Sequence, residues 1–211
     1  MAEWDEIIAF WFPEDADVHV DPARHLELWT WRMQGGADRA ISSRYVSTTE
    51  LAIEGAYDHW AHRPLGRLAL IIVLDQFPRS IWRDTPRAYA QDRRALDLAM
   101  EGYENGHYAR LPHPWHKTVY NLPLGHCEGE GHLERLDLAC DLARAIQDEA
   151  PEHLRPGYGF PLSQAAAVRA VIGRFGRHPH RNGALGRPST PEEAAYIAQG
   201  QFPHLRRPPA R

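Results

Sequence analysis

The run of seven apolar residues from Leu68 to Leu74 constrains the fold of this chain more than any other stretch. With its flanks, Leu65 to Gln76, the run is typical of either a buried strand or a buried helix. No other segment offers a strand that could pair with it, whereas helical spacing of apolar residues recurs along the chain. The sequence therefore predicts a buried helix here and an all-α fold.

Helical patterns and capping signals lie on both sides of this run. Leu26, Trp29 and Met33 have the spacing of the inward face of a helix that follows Pro22. The Ser-Thr-Thr at 47–49 predicts a helix N-terminus. Thr190-Pro-Glu-Glu193 is a capping box, and it predicts the start of the last helix.

The length and charge of the chain indicate one ordinary globular domain. We expect about eight to ten helices in a single all-α domain over residues 1–205, followed by a disordered tail over 206–211. The formal net charge of −4 argues against nucleic acid as a partner, because nonspecific binding requires a basic face.

Cysteine content and hydropathy indicate a soluble protein of the cytoplasm. The two cysteines, Cys127 and Cys140, form no disulfide framework, which fits a reducing compartment. The longest apolar run is far shorter than the ~20 residues that span a bilayer. The N-terminus is acidic at Glu3, Asp5 and Glu6, where a signal peptide would be basic.

An arginine-rich segment without acidic residues lies between Glu152 and Glu192. Its arginines need carboxylate partners within the fold, an anionic ligand or open solvent. An Arg guanidinium pairs with both oxygens of a carboxylate or phosphate. We therefore expect a turn beside a helix end to offer donors to an anion, from Arg174, Arg177, His180, Arg181 and Asn182.

Asp75 follows the apolar run, and Gln76, Arg79 and Arg83 come after it. A half-buried carboxylate at a helix C-terminus is costly unless donors meet it. We expect Asp75 to be ionised, to have a lowered pKa and to lie within salt-bridge distance of an arginine from 79–83 or 174–181. Such a pair either fastens two helices or orients a carboxylate for ligand binding or proton transfer. Pro78 is expected to turn the chain.

His126 and Glu128 flank Cys127 just after a Leu-Pro-Leu turn. Adjacency to histidine is weak evidence for a thiol nucleophile, because the base must reach the sulfur in space. Polar contacts from His126 and Glu128 to the arginine segment are the better interpretation. His178 and His180 match none of the strong zinc signatures, and no phosphate-binding loop occurs, so the sequence predicts no metal and no cofactor.

Three stretches together resemble the bacterial domain-of-unknown-function family nine-two-four. They are Leu-Asp-Gln-Phe-Pro-Arg at 74–79, Leu-Pro-x-x-His-x-Glu at 122–128, and Arg-Phe-Gly-Arg-x-Pro-His-Arg-Asn-x-x-Leu-Gly-Arg-x-Ser-Thr-Pro-Glu-Glu at 174–193. The resemblance covers nearly the whole chain, implies a tetratricopeptide-like helical array and brings no established activity. The family usually has Ser at the position of Cys127 and an aromatic residue at that of His178, which argues against a catalytic thiol and a two-histidine metal site.

Two functions and one structural alternative stay open at this point. The favoured hypothesis is a helical binding protein whose Arg/His-lined pocket holds an anionic small molecule or an acidic peptide. The second is a hydrolase-type enzyme with Asp75 or Glu128 as base and His126 or His180 as acid–base partner. In the structural alternative, the same side chains only join the middle helices to the C-terminal ones. The candidate ligand-binding residues are Asp75, Gln76, Arg79, Arg83, His126, Glu128, Arg174, Arg177, His180, Arg181 and Asn182.

Overall fold

The structure is a computed structural model that describes residues 3–16, 19–200 and 202–203. This described part forms one domain of ten helices with seven or more residues and two with five, and it contains no strand. The all-α prediction is therefore confirmed. The tetratricopeptide-like arrangement stays a prediction, and the tail predicted over 206–211 lies outside the described residues.

Proline starts many of these helices. It occupies the first turn of five of the twelve, where its missing N–H would have no partner within the helix. None of the helices in the described ranges is long and apolar enough to cross a membrane. The helices are α1 Trp4–Trp11, α2 Pro22–Met33, α3 Asp38–Arg44, α4 Val46–Ile53, α5 Pro64–Ile71, α6 Phe77–Ile81, α7 Asp92–Glu104, α8 Pro114–Tyr120, α9 Leu122–His126, α10 His132–Glu149, α11 Gly159–Phe175 and α12 Pro191–Gln199.

The apolar run forms the central helix, as predicted, but Pro78 does not end it. A π-helical turn over Ile72–Gln76 joins α5 directly to α6. At its end the N–H of Phe77 donates to the carbonyl of Ile72, five residues earlier. Pro78 has no N–H for the carbonyl of Leu74, and its ring would crowd that carbonyl in an α-helix. The wider π turn removes this conflict, so the chain continues helically to Ile81.

The central helix is the core of the domain. Residues 68–74 are almost completely buried, and α1, α3, α4, α7 and α8 pack around the helix and its π turn. Each fully buried Leu or Ile side chain contributes about 1.5–3 kcal/mol, which explains why an unbroken apolar run occupies this position. The long helices α10 and α11 pack against each other and form the C-terminal part of the fold.

Two local predictions were wrong. On α2, Leu26 is 59% exposed, whereas His25, Leu28 and Arg32 are buried. The Arg32 guanidinium donates to both carboxylate oxygens of Glu14, at 2.6 and 2.8 Å, and this buried pair turns the helix.

The Ser-Thr-Thr at 47–49 lies inside α4 and does not cap it. Thr49 Oγ1 instead donates to the carbonyl of Tyr45 at 2.7 Å, a bond back to the preceding turn. By contrast, the capping box is confirmed: Thr190 accepts from the N–H of Glu193, and the Glu193 side chain accepts from the N–H of Thr190.

Candidate functional site

A cavity of about 950 Å³ lies between the central helix and the C-terminal helices. The π turn, α6, α9 and the 3₁₀ turn Pro179–Arg181 contribute the polar lining residues Gln76, Arg79, His126, His180 and Arg181. Its apolar lining comes largely from α10 and α11. One cavity thus combines a polar region with apolar walls.

Asp75 is completely buried beside this cavity and is paired as predicted. Its carboxylate lies 3.3 Å from Arg79 Nη1 and accepts from His126 Nδ1, which is 2.9 Å from both oxygens. Gln76 Nε2 donates to the same carboxylate. Burial alone would raise the pKa of Asp75, but the charge of Arg79 and the hydrogen bonds from His126 and Gln76 outweigh burial and hold that pKa well below its ordinary value. Asp75 is therefore ionised.

Asp92, at the start of α7, connects two arginines of the cavity wall. Arg79 Nη2 donates to one of its oxygens at 2.8 Å, and Arg181 Nη1 donates to the other at 2.9 Å. Both guanidinium groups also lie over the ring of Tyr89, at 5.6 and 4.5 Å from its centre. Two arginines distant in sequence are thus held side by side. We call Asp75, Arg79, Asp92, His126 and Arg181 the cavity cluster.

Both histidines of the cavity wall are held neutral. Burial lowers the pKa of His126, and the charge of Arg79 adds to this effect. A carboxylate can only accept, so Nδ1 carries the hydrogen that His126 donates to Asp75, and Nε2 is the basic nitrogen. Burial and the charge of Arg181 together lower the pKa of His180 to about 3. Neither imidazole adds positive charge to the cavity at neutral pH.

Several polar atoms of the cavity wall lack a partner among the described residues. Arg181 is 3% exposed, yet its Nε finds no acceptor within the described part of the chain. Trp29 Nε1 and Gln164 Oε1, on other walls of the cavity, are buried in the same condition. An unpaired buried polar group is costly, and in native structures it often marks a place where another molecule completes the hydrogen bond.

The charges on the cavity wall are predominantly positive. Arg79, Arg83 and Arg181 line it, and Asp84 is the acidic residue among the lining residues described. The carboxylates of Asp75 and Asp92 lie behind this wall. Asp84 also has a positive φ of 60°, a conformation unusual for a residue other than glycine. Arg83 pairs with Asp38 and is half-exposed, so it marks the rim of the cavity.

A second polar network joins the segment after α9 to the C-terminal turn and α12. Glu128 accepts from Arg187 Nη1 at 2.5 Å and from the N–H of His178 at 2.7 Å. Glu193 accepts from Arg177 at 2.7 and 2.8 Å and from Asn182 at 3.3 Å. We call Glu128, Arg177, Asn182, Arg187 and Glu193 the C-terminal network. Its members do not line the cavity.

The candidate residues thus divide into two groups. The group at the cavity consists of Asp75, Gln76, Arg79, Arg83, His126, His180 and Arg181. The group in the C-terminal network consists of Glu128, Arg177 and Asn182. Arg174 belongs to neither group and forms an exposed pair with Glu192 at 2.6 Å. His126 contacts Asp75, and Glu128 contacts the arginine segment as expected. A ligand contact from the C-terminal network stays a prediction.

Cys127 lies outside the cavity lining, and its Sγ donates to the carbonyl of Glu128 at 3.7 Å. Burial raises the pKa of this thiol, which keeps it protonated and unreactive at neutral pH. Within the described ranges, no group of three His, Cys, Asp or Glu side chains is arranged to hold a metal ion.

Sequence reasoning missed Asp92, Tyr89 and the π turn. Asp92 stands at a helix start, a common place for an acid, so nothing in the sequence marked it as the link between two arginines. The π turn did leave a signal. A proline inside an otherwise helical pattern requires a local change of register, and π turns are frequent at functional sites.

Comparison with known proteins finds a matching family model and a similar solved structure. A family model described as "Bacterial protein of unknown function (DUF924)" matches residues 7–201. A solved protein of unknown function from Agrobacterium tumefaciens has a similar structure, with a TM-score of 0.71 and 30% sequence identity. That alignment covers 93% of this chain and 97% of the other. None of the curated proteins compared with the chain matches it.

Proposed function

Since the chain belongs to the bacterial family of unknown function DUF924, whose description names no activity, we propose a function from its cavity. The protein is a helical binding protein, and its cavity holds a small molecule that carries a carboxylate or a phosphate. Arg181, with help from Arg79, binds the anionic group. His180 and Gln76 lie beside it and provide neutral polar contacts.

The observation that carries the proposal is the state of Arg181. This guanidinium is buried, lines the cavity and has an Nε without an acceptor among the described residues, while Asp92 fixes its other end. An anion that accepted from Nε would give this donor the acceptor that it lacks among the described residues. Because Asp92 and Tyr89 already hold the side chain, little rotamer entropy would be lost on binding.

The size of the cavity supports a small molecule. Sites for small molecules typically enclose about 300–1,000 Å³ and combine apolar walls with a few placed polar groups, and the cavity of about 950 Å³ lies in this range. An acidic peptide would place one carboxylate in the same polar region, with its remaining residues outside. Nucleic acid is not a partner in this proposal, and a reducing cytoplasm fits the two free, buried cysteines.

A second candidate function, hydrolysis, is favoured by the pair formed by Asp75 and His126. The carboxylate fixes Nδ1–H of the imidazole, so Nε2 is oriented as an acceptor for the proton of a water molecule. The arginines would then stabilise negative charge that develops on the substrate. Thr118 is a cavity hydroxyl, but it donates to the carbonyl of Pro114 at 2.9 Å, so water is the favoured nucleophile.

Calorimetric titration tests the binding proposal. The probes are acetate, a dicarboxylate, inorganic phosphate and an acidic tripeptide, each added to wild type and to Arg181→Lys. Lysine keeps a charge for Asp92 but loses the planar fork, so we expect affinity for the best anion to fall at least tenfold. The matched control is Arg174→Lys, in an exposed ion pair away from the cavity, which should bind as wild type does.

Three results would decide between the alternatives. Equal binding by wild type and Arg181→Lys, or no binding of any anion, contradicts the binding proposal. A preference for the tripeptide over all small anions would replace the small molecule by a peptide. Turnover of carboxylate or phosphate esters that is lost in His126→Asn, with ligand binding retained, would establish the hydrolase. Asn keeps a side-chain donor near Asp75 and lacks the basic nitrogen.

A further inference from the structure

The shape of the cavity narrows the class of ligand. We infer that the ligand is an amphipathic monocarboxylate with an unbranched acyl chain, whose head binds at Arg181 and whose chain lies in the trough between α10 and α11. The inference rests on the proposed function, because it takes the anion-binding end of the cavity as given. It adds the acyl chain, which fills the apolar part of the cavity.

One face of α10 carries a row of apolar side chains that line the cavity. Leu136, Ala139, Ala143 and Ile146 all line the cavity, and their spacing places them on one face of the helix. From the first to the last, this face extends about 15 Å along the helix axis. The two alanines in its middle keep the trough open at the place where larger side chains would close it.

The second support is the opposite wall, formed by α11. Phe160, Ala165 and Val168 of this helix line the same cavity. Leu136 and Val168 pack together near one end of the pair, while Gly159 lies against Gln147 near the other, so the two helices run antiparallel. The wall residues of the two helices thus face each other along an apolar trough as long as the α10 face, and an extended chain can follow such a trough over its whole length.

The third support is the position of the polar end. Gly125 precedes His126, and a Cβ added at Gly125 would lie 3.5 Å from Leu136 and 3.9 Å from Val168. The trough therefore begins beside the cavity cluster and extends toward Ile146 and Phe160, away from the arginines. Phe160 is 48% exposed, so the far end opens toward solvent. Guanidinium donors at one end and an apolar trough after them complement an anionic head with an acyl chain.

A homologous series of ligands provides the direct test. Acetate, butanoate, hexanoate, octanoate and decanoate are titrated into the full-length protein, with benzoate and octanol as probes of chain shape and charge. Each methylene that enters the trough should lower Kd about fourfold, because its burial is worth about 0.8 kcal/mol. The gain should level off once the chain is longer than the trough. Benzoate and octanol should bind much more weakly than octanoate.

Two adjacent alanines provide a matched pair of variants. Ala165 is partly buried and lines the trough, whereas its neighbour Ala166 is exposed on the same helix. Ala165→Phe should block the trough, so decanoate would bind no better than butanoate, while acetate would bind as in wild type. Ala166→Phe should keep the full dependence on chain length. If Ala165→Phe fails to fold, Ala143→Leu with its exposed control Ala145→Leu replaces the pair.

The outcomes separate this inference from the proposed function. Equal affinity for acetate and decanoate overturns the acyl-chain ligand and leaves anion binding standing, as does tighter binding of benzoate than of octanoate. Octanol that binds as tightly as octanoate overturns both. The absence of binding by every carboxylate and by phosphate also overturns both. If Kd still depends on acyl-chain length in Ala165→Phe and in Ala143→Leu, the acyl chain binds outside the trough and the inference is contradicted.

Discussion

The cavity cluster and the C-terminal network are both built from arginines paired with carboxylates, but they differ in how completely the polar atoms of each cluster are hydrogen-bonded. In the network, Glu128 and Glu193 each accept from an arginine and from at least one backbone N–H. In the cavity cluster, Asp75 and Asp92 are also paired, yet Arg181 keeps a buried Nε without an acceptor in the described structure. The network closes on itself, whereas the cluster faces a cavity.

The difference shows that abundance of arginine does not by itself indicate a ligand. Arg169, Arg174, Arg177, Arg181 and Arg187 all have a carboxylate partner within the fold. Arg181 differs from the other four because it is buried beside the cavity and its Nε has no acceptor in the described part of the chain. The comparison therefore predicts that the cavity cluster governs binding and the network governs stability.

The largest effect is expected at Asp75, the deepest member of the cavity cluster. Asp75→Ala leaves the Arg79 charge with Asp92 alone, and breaking a buried pair typically costs about 3–5 kcal/mol. Because Asp92 still compensates Arg79, we expect a loss near the lower end, about 3 kcal/mol, by urea denaturation at pH 7. Asp137→Ala removes the exposed partner of Arg169 and should not shift the midpoint. Equal midpoints for the two variants would show that Asp75 stabilises the fold no more than an exposed ion pair does.

The next effect is a pH dependence at His180. Its folded pKa of about 3 lies below the ordinary value of 6.5, so between these values the unfolded state binds more protons and stability falls as pH falls. We expect His180→Asn to reduce this slope by up to about 1.4 kcal/mol per pH unit. Denaturation from pH 6.5 to 4.5 measures it, above the range near ~3.9 where Asp75 of the unfolded chain begins to protonate.

The control for this experiment is His59→Asn, which removes an exposed histidine and should keep the slope of wild type. A slope that is the same in His180→Asn and in wild type would mean that His180 takes up its proton in the folded protein. In that case the cavity would carry more positive charge than the geometry indicates.

A smaller effect is expected in the C-terminal network. Glu128→Gln weakens the hydrogen bonds with Arg187 and with the N–H of His178, and a loss of about 1–2 kcal/mol is expected for a partly exposed, charged interaction. Anion affinity should not change, since Glu128 does not line the cavity. Measuring both quantities on one preparation sharpens the comparison. A tenfold loss of anion affinity in a folded Glu128→Gln protein would show that Glu128 contributes to the binding site.

The smallest effect is expected at Cys127. Serine can replace its weak hydrogen bond to the carbonyl of Glu128, so Cys127→Ser should change stability by less than about 1 kcal/mol. Any activity that is found should also be retained, because the thiol is buried, protonated and outside the cavity lining. Loss of such an activity in a folded Cys127→Ser protein would return the thiol to the list of catalytic candidates.

The sequence by itself determined the features that depend on local spacing. The apolar run from Leu68 to Leu74 predicted the buried helix, and Thr190 to Glu193 predicted a capping box that the structure confirms. The ion pair of Asp75 with Arg79 was also within reach, because the two residues are four apart on one helical segment. Burial patterns and caps act over one or two turns, so a linear sequence carries their signal.

Only the tertiary structure decided which polar residues share a site. Arg79, Asp92 and Arg181 meet although their sequence separations are large, and neither pattern nor composition connects them. The same holds for the division of the arginine segment, since Arg177 and Arg181 are four residues apart yet belong to different clusters. Long-range pairing depends on how complete helices pack, because one rigid rotation of a helix changes every partner on its surface. The sequence therefore determined the helices, and their packing decided where the cavity and its unsatisfied donors lie.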